Sequence, residues 1–226
     1  KFYNKYITFE IDMSFTEQQL KMSFTNAVQL NGFISMLYTN VENSMTVKLD
    51  ELIRRTINNM IGETLSVGEA PRAINLLTMF KAAYPDITVT ATTALNNPDF
   101  IRYACYIIKM THDRMRTMST VFNMGGVPRF TPKDKSHIVL LSDFASGADI
   151  FLQSNTFHDE LSALPTAETV PYWQGSGTSY EFADVSKINV KTALGDTVEQ
   201  SGILGVMFDR NALGVSSPER KTTSQW

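Results

Sequence analysis

The sequence contains a single cysteine, Cys105, among 226 residues. An intrachain disulfide therefore cannot form, and metal cages built from several cysteines are excluded. Histidine is almost as scarce, since the chain has only His112, His137 and His158. No two of them are four residues apart, as the helical histidine pair of a zinc protease would be. The sequence thus predicts no metal site.

Motifs that indicate catalysis are also missing. The chain has no G-x-x-x-x-G-K-[ST] phosphate loop, no strand-anchored G-x-G-x-x-G and no G-x-S-x-G. His158, Asp159 and Glu160 contain the H-x-E of zinc deaminases, but the P-C-x-x-C partner of that motif needs two cysteines. We therefore expect no catalytic residue, no cofactor and no enzymatic activity.

Charge is sparse and nearly balanced, with 19 % charged residues and a net charge of −3. No run of basic residues indicates sequence-specific binding of nucleic acid. Apolar residues make up 43 % of the chain, which is typical of a globular protein with a real core. The chain begins at Lys1 without a signal-peptide pattern and ends in a polar run, so we expect it to be the interior of a longer protein.

The longest periodic pattern covers residues 26–62 and predicts one long helix. Apolar residues recur there at every third or fourth position, and no proline interrupts them. A continuous helix of about 36 residues would be on the order of 54 Å long. Its charged residues exclude a membrane span, and an apolar step of about 3.7 residues disfavours a left-handed coiled coil. We expect a straight amphipathic rod that ends at Gly62; two helices that meet near residues 40–44 are the alternative.

Shorter helices and strands alternate irregularly in the rest of the chain. Asn97, Pro98 and Asp99 provide an N-cap, a proline at the first helical position and a first-turn acid, which predicts a helix over residues 98–115. The apolar run SHIVLL at 136–141 is typical of a strand buried on both faces. Further helices are predicted at 17–24, 70–83, 145–153 and 156–163, and further strands at 6–13, 87–93, 119–123, 185–192 and 201–208. Because these elements follow no strict βαβ rhythm, we expect an α+β fold.

Three runs, at residues 96–110, 136–164 and 202–215, resemble the major capsid proteins of tailed bacteriophages. In that family a strand that ends in a D-x-x-A-L-G-like turn leads the chain from an apical domain back into a peripheral domain. Asp209, Ala212, Leu213 and Gly214 stand in those places here. The long helix and residues 16–21 look most like the short-tailed podovirus group.

The resemblance implies the phage major capsid fold. In that fold residues 1–64, with the long spine helix, are part of a peripheral domain, and 65–200 form an apical domain with a mixed sheet flanked by helices. Residues 201–226 then return into the peripheral domain. The resemblance also implies a structural protein that self-assembles into hexamers and pentamers of an icosahedral phage head around double-stranded DNA.

The implied partners are copies of the same chain, a scaffolding protein, a portal and non-specifically bound DNA, with no membrane. The implied localisation is the virion, after assembly in the cytoplasm of the bacterial host. Two loops, at residues 125–132 and 165–182, become candidates for contacts between subunits; the alternative is that each loop packs on its own domain. The candidate contact residues are Tyr172, Trp173, Tyr180, Arg129 and Phe130.

Two alternative functions stay open from the sequence. An encapsulin-like compartment would have the same shell fold and a protein cargo. From a different class, a soluble α+β hydrolase would use His158 with Asp159 or Asp143. That hydrolase would require these groups to converge in one concave pocket.

Overall fold

The computed structural model describes residues 16, 18, 27–68, 71–123, 125–153, 166–175 and 179–216. The predicted strand at 6–13 and the predicted helices at 17–24 and 156–163 lie outside these residues, apart from Gln18, which is helical. The chain forms two compact units, one of residues 1–55 with 215–226 and one of residues 56–214. Helices and strands are mixed, which confirms the α+β prediction.

The long helix exists and is longer than the sequence predicts. Helix α1 covers Ala27–Val67, 41 residues, without a break, which confirms a single helix and excludes the two-helix alternative. A half-buried apolar stripe follows its first two thirds at the predicted spacing, and it comprises Leu30, Phe33, Leu37, Val41, Met45, Leu49 and Leu52. On the exposed surface Arg54 pairs with Asp50 at 2.8 Å, one helical turn away.

The prediction that Gly62 ends this helix is wrong. Gly62 lies inside α1 and is buried, because its missing side chain lets the helix approach Val190. The helix ends five residues later, at Val67. Gly68 follows with a φ of 64°, and its N–H donates to the Thr64 carbonyl at 3.3 Å. A glycine in the left-handed conformation commonly follows the last residue of a helix. The correct stop signal in the sequence is therefore Gly68, the next glycine after Gly62.

Three further helices carry the first core of the 56–214 unit. Helix α2 is Leu76–Ala83, shorter than predicted because Asn75 caps it by accepting from the Thr78 N–H at 3.0 Å. Helix α3 is Pro98–Met115, as predicted, and α4 is Ser142–Gln153. Phe80 of α2 meets Phe100 of α3 edge to face at 5.5 Å.

Strand β1, Ser136–Leu141, has the predicted bounds and is the centre of the larger sheet. It pairs in parallel with β2, Glu168–Val170, and a later strand, Gly205–Asp209, pairs with it antiparallel on its other side. Between β2 and that last strand come the short helix α5, Phe182–Val185, and a hairpin of β3, Ile188–Lys191, and β4, Thr197–Gln200. The last strand is β5. A turn at residues 194–196 joins β3 to β4. Strands β2 and β4 are not among those predicted from the sequence.

Alternate residues of β1 enter two different cores, as expected of a strand buried on both faces. Ile138 and Leu140 pack with α2, α3 and α4. Val139 and Leu141 pack with Trp173, with the hairpin and with residues 56–65 of α1. The period of two in a strand places neighbouring side chains on opposite faces, so one short strand joins both cores.

Two predicted strands are wrong. Residues 87–93 contain no strand, and 91–93 lie in a turn, because Thr90 and Thr93 bond locally: the Thr90 N–H donates to the Thr93 hydroxyl at 3.0 Å. Of residues 119–123, only Ser119 forms a β-bridge, with Arg129, and the other four lie in bends and a turn. In both stretches side-chain hydrogen bonds of serine, threonine or asparagine compete with the backbone hydrogen bonds that a β-sheet would require. The strand predicted at 185–192 begins later, at Ile188, after α5.

Candidate subunit-contact surfaces

The segment around Trp173 is anchored from three sides within its own subunit. The indole N–H donates to the Ile203 carbonyl at 2.8 Å, and the backbone N–H of Trp173 donates to the Val185 carbonyl at 3.1 Å. The buried Asn58 amide of α1 donates to the Trp173 carbonyl at 2.7 Å. The Trp173 side chain is 4 % exposed. Its role as a subunit contact stays a prediction, and the structure shows that its own subunit already encloses the side chain.

Gln174, which is not among the predicted contact residues, fixes the same segment to β3. Its side-chain amide donates to the Asn189 carbonyl at 3.1 Å and accepts from the Asn189 N–H at 2.6 Å. The amide thus takes the place of a neighbouring strand at that residue. A lone glutamine in a loop has no sequence pattern that could have revealed this role.

The two tyrosines near Trp173 differ in exposure. Tyr172 is half-buried and packs against the same core as Trp173. Tyr180 is 67 % exposed and precedes Glu181, the residue at the start of α5. Of the predicted contacts in this loop, Tyr180 presents the most side-chain surface to a partner.

The other predicted contacts, Arg129 and Phe130, lie at the base of a closed loop after α3. Ser119 and Arg129 exchange both backbone hydrogen bonds at 2.9 Å, and the Thr131 N–H donates to the Met115 carbonyl at 2.8 Å. The Asn123 amide spans the loop by donating to the Val127 carbonyl at 2.7 Å. These bonds close the base of the loop within its own subunit.

This loop exposes large apolar side chains. Met118 is 71 % exposed and Phe130 54 %, and Val121 and Val127 are exposed beside them. Arg129 and Phe130 are therefore both available to a partner, and their function as contacts stays a prediction. Methionine, phenylalanine and arginine are enriched where proteins meet.

Groups that could support catalysis do not converge in the part of the chain that the structure describes. No cluster of three His, Cys, Asp or Glu residues there could hold a metal ion. His137 pairs with Glu168 across the β1–β2 edge at 3.0 Å. Asp143 is exposed in the first turn of α4, and the hydrolase residues His158 and Asp159 lie outside the described residues.

Cys105 is buried in α3, and desolvation, followed by the charge of Asp149, raises the pKa of its thiol to about 12. A thiol held protonated is a poor nucleophile, so this cysteine acts as a small core residue. Among the described helices, none is long and apolar enough to cross a membrane.

Comparison with known families identifies the chain. No curated protein matches it individually. The family described as Phi29-like phage major capsid protein matches residues 1–226, which is the whole sequence. This match confirms the podovirus-type resemblance and the phage capsid fold, and it indicates a structural role in the virion. The chain belongs to the Phi29-like phage major capsid protein family.

Proposed function

We propose that this major capsid protein assembles into hexamers and pentamers that close an icosahedral phage head around double-stranded DNA. The observation that carries the proposal is the family match over the entire chain. Assembly takes place in the cytoplasm of the bacterial host, and the finished shell is part of the virion. Many copies of one contact supply the stability, so each single contact can be weak.

The rod-like helix α1 supports this role. At 1.5 Å per residue its 41 residues span about 60 Å, which is several times the length of an ordinary helix. Large apolar side chains, among them Val28, Tyr38 and Val47, are exposed along it. A long helix with exposed apolar residues suits a subunit that must meet neighbours over a wide area.

In this proposal residues 1–64 and 201–226 form the peripheral domain and 65–200 the apical domain. The compact units of the structure divide the chain elsewhere, after Arg55 and after Gly214. The predicted subunit contacts are Tyr172, Trp173, Tyr180, Arg129 and Phe130. A scaffolding protein and a portal are further partners, and the DNA is enclosed without sequence-specific contacts.

The subunit acts through assembly and not through catalysis. Its family is structural, and the hydrolase alternative has no support in the described residues, where Asp143 lies exposed on α4. The encapsulin-like alternative differs from the phage head in its cargo, which would be protein and not DNA.

Negative-stain electron microscopy of the full chain, expressed alone or with its neighbouring genes, tests the proposal. We expect closed shells or capsomer rings, and nuclease-protected DNA in the particles made when the packaging genes are present. A monodisperse monomer under all assembly conditions would contradict the capsid function. Closed shells that hold protein and exclude DNA would favour the encapsulin-like alternative.

A further inference from the structure

A cationic surface forms where three separate segments of the 56–214 unit meet. The Thr131 N–H donates to the carbonyl of Met115, the last residue of α3, at 2.8 Å. The N–H of Arg210, just after β5, donates to the Lys135 carbonyl at 2.8 Å. All the cations of this surface are exposed. We define the cationic surface as Arg114, Arg116, Arg129, Lys133, Lys135 and Arg210.

Few carboxylates balance these cations. Arg116 lies 3.6 Å from Asp113, and Lys135 lies 3.9 Å from Asp134. Two further acids lie near this surface: Asp209 accepts from the Asn211 N–H at 2.7 Å, and Glu168 lies 3.0 Å from His137. The carboxylates remain fewer than the six cations. Within the described residues, the structure gives no carboxylate within 4.0 Å of the remaining cations, which are Arg114, Arg129, Lys133 and Arg210. The helix dipole favours a cation at Arg114, but it does not explain the others.

The cationic surface adjoins the exposed apolar loop. Phe130 stands between Arg129 and the Lys133–Lys135 turn, and Met118 follows Arg116 closely in the chain. A phosphate backbone is bound chiefly by cations, whereas protein interfaces combine aromatic, methionine and arginine side chains. This mixture favours a protein partner with an acidic surface over nucleic acid.

An acidic surface of that kind exists on the same chain, around α5 and the β3–β4 hairpin. Glu181, Asp184 and Glu199 are exposed there, beside the exposed ring of Tyr180. Lys187 lies among them, and its hydrogen bond to Glu199, with the charges of Glu199 and Asp184, raises the pKa of its ammonium group. Carboxylates outnumber cations in this group. We define the acidic surface as Tyr180, Glu181, Asp184 and Glu199.

The two surfaces lie at opposite ends of the β1–β5 ladder. At one end Ser136 faces Asp209, next to Lys135 and Arg210. At the other end the Leu141 N–H donates to the Leu204 carbonyl at 2.8 Å. The N–H of the neighbouring Ile203 donates to the carbonyl of Ser186, which lies between Asp184 and Lys187 in the chain. A six-residue strand spans about 20 Å. The surfaces are therefore too far apart to neutralise each other within one subunit.

We propose that the cationic surface of one copy docks on the acidic surface of the next copy, head to tail. The cationic surface cannot pair with itself across a two-fold axis, because like charges would face each other. Two different, complementary surfaces on one chain give a heterologous contact, which closes into rings when the rotation between copies is suitable. This inference rests on the proposed capsid function and specifies one of its subunit contacts.

Charge reversal of each surface tests the contact in the full chain. One variant carries Arg129→Glu and Lys133→Glu, a second carries Glu181→Lys and Asp184→Lys, and a third combines all four changes. Each two-site variant places like charges opposite each other, so we expect it to raise the protein concentration needed for assembly by at least about tenfold. The four-site variant restores complementarity and is expected to assemble at close to the wild-type concentration.

The matched control reverses two exposed charges outside both surfaces, Lys81→Glu and Asp86→Lys, and is expected to assemble like the wild type. Sedimentation velocity and negative-stain microscopy measure assembly, and circular dichroism verifies that each variant is folded. Added salt is expected to weaken wild-type assembly, because the Debye length falls from about 10 Å at 0.1 M to about 3 Å at 1 M.

Three results would overturn the head-to-tail contact. The first is that the wild type forms particles and both two-site variants assemble at the wild-type concentration. This result would exclude the contact and leave the capsid function intact. The second is a folded four-site variant that does not regain assembly. The third is a reversed cationic surface that leaves shells intact but lowers their DNA content, which would assign that surface to DNA phosphates. If the wild type itself forms no particles, the capsid function fails and this inference fails with it.

Discussion

Gly62 of α1 lies so close to Val190 of β3 that a Cβ built on the glycine would fall 2.1 Å from the Val190 Cγ2 atom. Real Cβ atoms do not approach other atoms this closely. The contact lies in the second core, where Ile61 packs with Ile188 and Val190. This glycine, five residues before the end of a long helix, is thus explained by packing and not by a turn.

Gly62→Ala is expected to lower the free energy of unfolding by about 1–3 kcal/mol, because overpacking at Val190 outweighs the better helix propensity of alanine. Gly32→Ala in the same helix is the matched control, since a Cβ there meets nothing within 4 Å. That change is expected to stabilise by about 0.5–1 kcal/mol. Urea unfolding of the unassembled chain measures both. A Gly62→Ala chain as stable as the wild type would show that β3 moves away freely.

Asn97 caps α3, because its side-chain oxygen accepts from the N–H groups of Asp99 and Phe100 at 2.9 and 3.0 Å. Asn97→Ala is expected to cost about 1 kcal/mol in unfolding free energy, whereas Asn97→Asp, which keeps the acceptor, costs little. Thermal unfolding of the two variants side by side measures the difference. Equal melting temperatures would mean that the cap contributes no stability.

Trp173→Phe removes the indole donor to the Ile203 carbonyl and leaves that acceptor without its partner. We expect the free energy of unfolding to fall by about 1–3 kcal/mol. Tyr180→Phe, at an exposed site, is expected to change it by less than about 0.5 kcal/mol. Chemical unfolding monitored by circular dichroism compares the two. If Trp173→Phe impaired assembly without lowering subunit stability, Trp173 would be a direct contact and not an anchor.

Cys105 is expected to resist alkylation in the folded chain. With a pKa of about 12, its thiolate fraction at pH 8 is about one in ten thousand, and burial blocks access further. Iodoacetamide labelling followed by mass spectrometry is expected to modify Cys105 only after denaturation. Rapid labelling of the native chain would contradict the buried position.

The same pKa has a consequence for stability. Folding raises the pKa of this thiol from 9.0 to about 12, so above pH 9 the unfolded chain loses the proton first and unfolding becomes easier. The contribution of Cys105 to stability is therefore complete below pH 9 and declines as the pH rises toward 12. Urea titrations across this range are expected to show a smaller decline for Cys105→Ala. An identical decline in both chains would assign the pH dependence to other groups.

The elements with correctly predicted bounds are those whose signals are local. Helix α3 has its cap, its proline and its apolar face within one stretch, and β1 is a continuous apolar run. In contrast, β2 has three residues, and its pairing with Val139 and its neighbours depends on a strand about thirty positions earlier in the chain. The role of Gly62 depends on Val190, which is far more remote in sequence. No single-segment pattern contains these partners.

The candidate contact residues show the same division. Exposed aromatic residues in loops, such as Phe130 and Tyr180, can be proposed from loop position alone. The burial of Trp173 depends on Asn58, Val185 and Ile203, which come from three other segments. The cationic surface likewise forms only when the end of α3, residues 129–135 and the end of β5 come together. The sequence therefore shows no basic run even though the folded chain has a basic surface.

A cryo-electron microscopy reconstruction of the particles formed by the full chain tests the central claim most directly, because it shows both the shell and its contacts. We expect a closed icosahedral shell of hexamers and pentamers in which Arg129 and Lys133 of one copy lie within about 4 Å of carboxylates on the acidic surface of the next. A closed shell with both surfaces turned to solvent or DNA would refute the head-to-tail contact. The absence of any shell under all assembly conditions would contradict the capsid function itself.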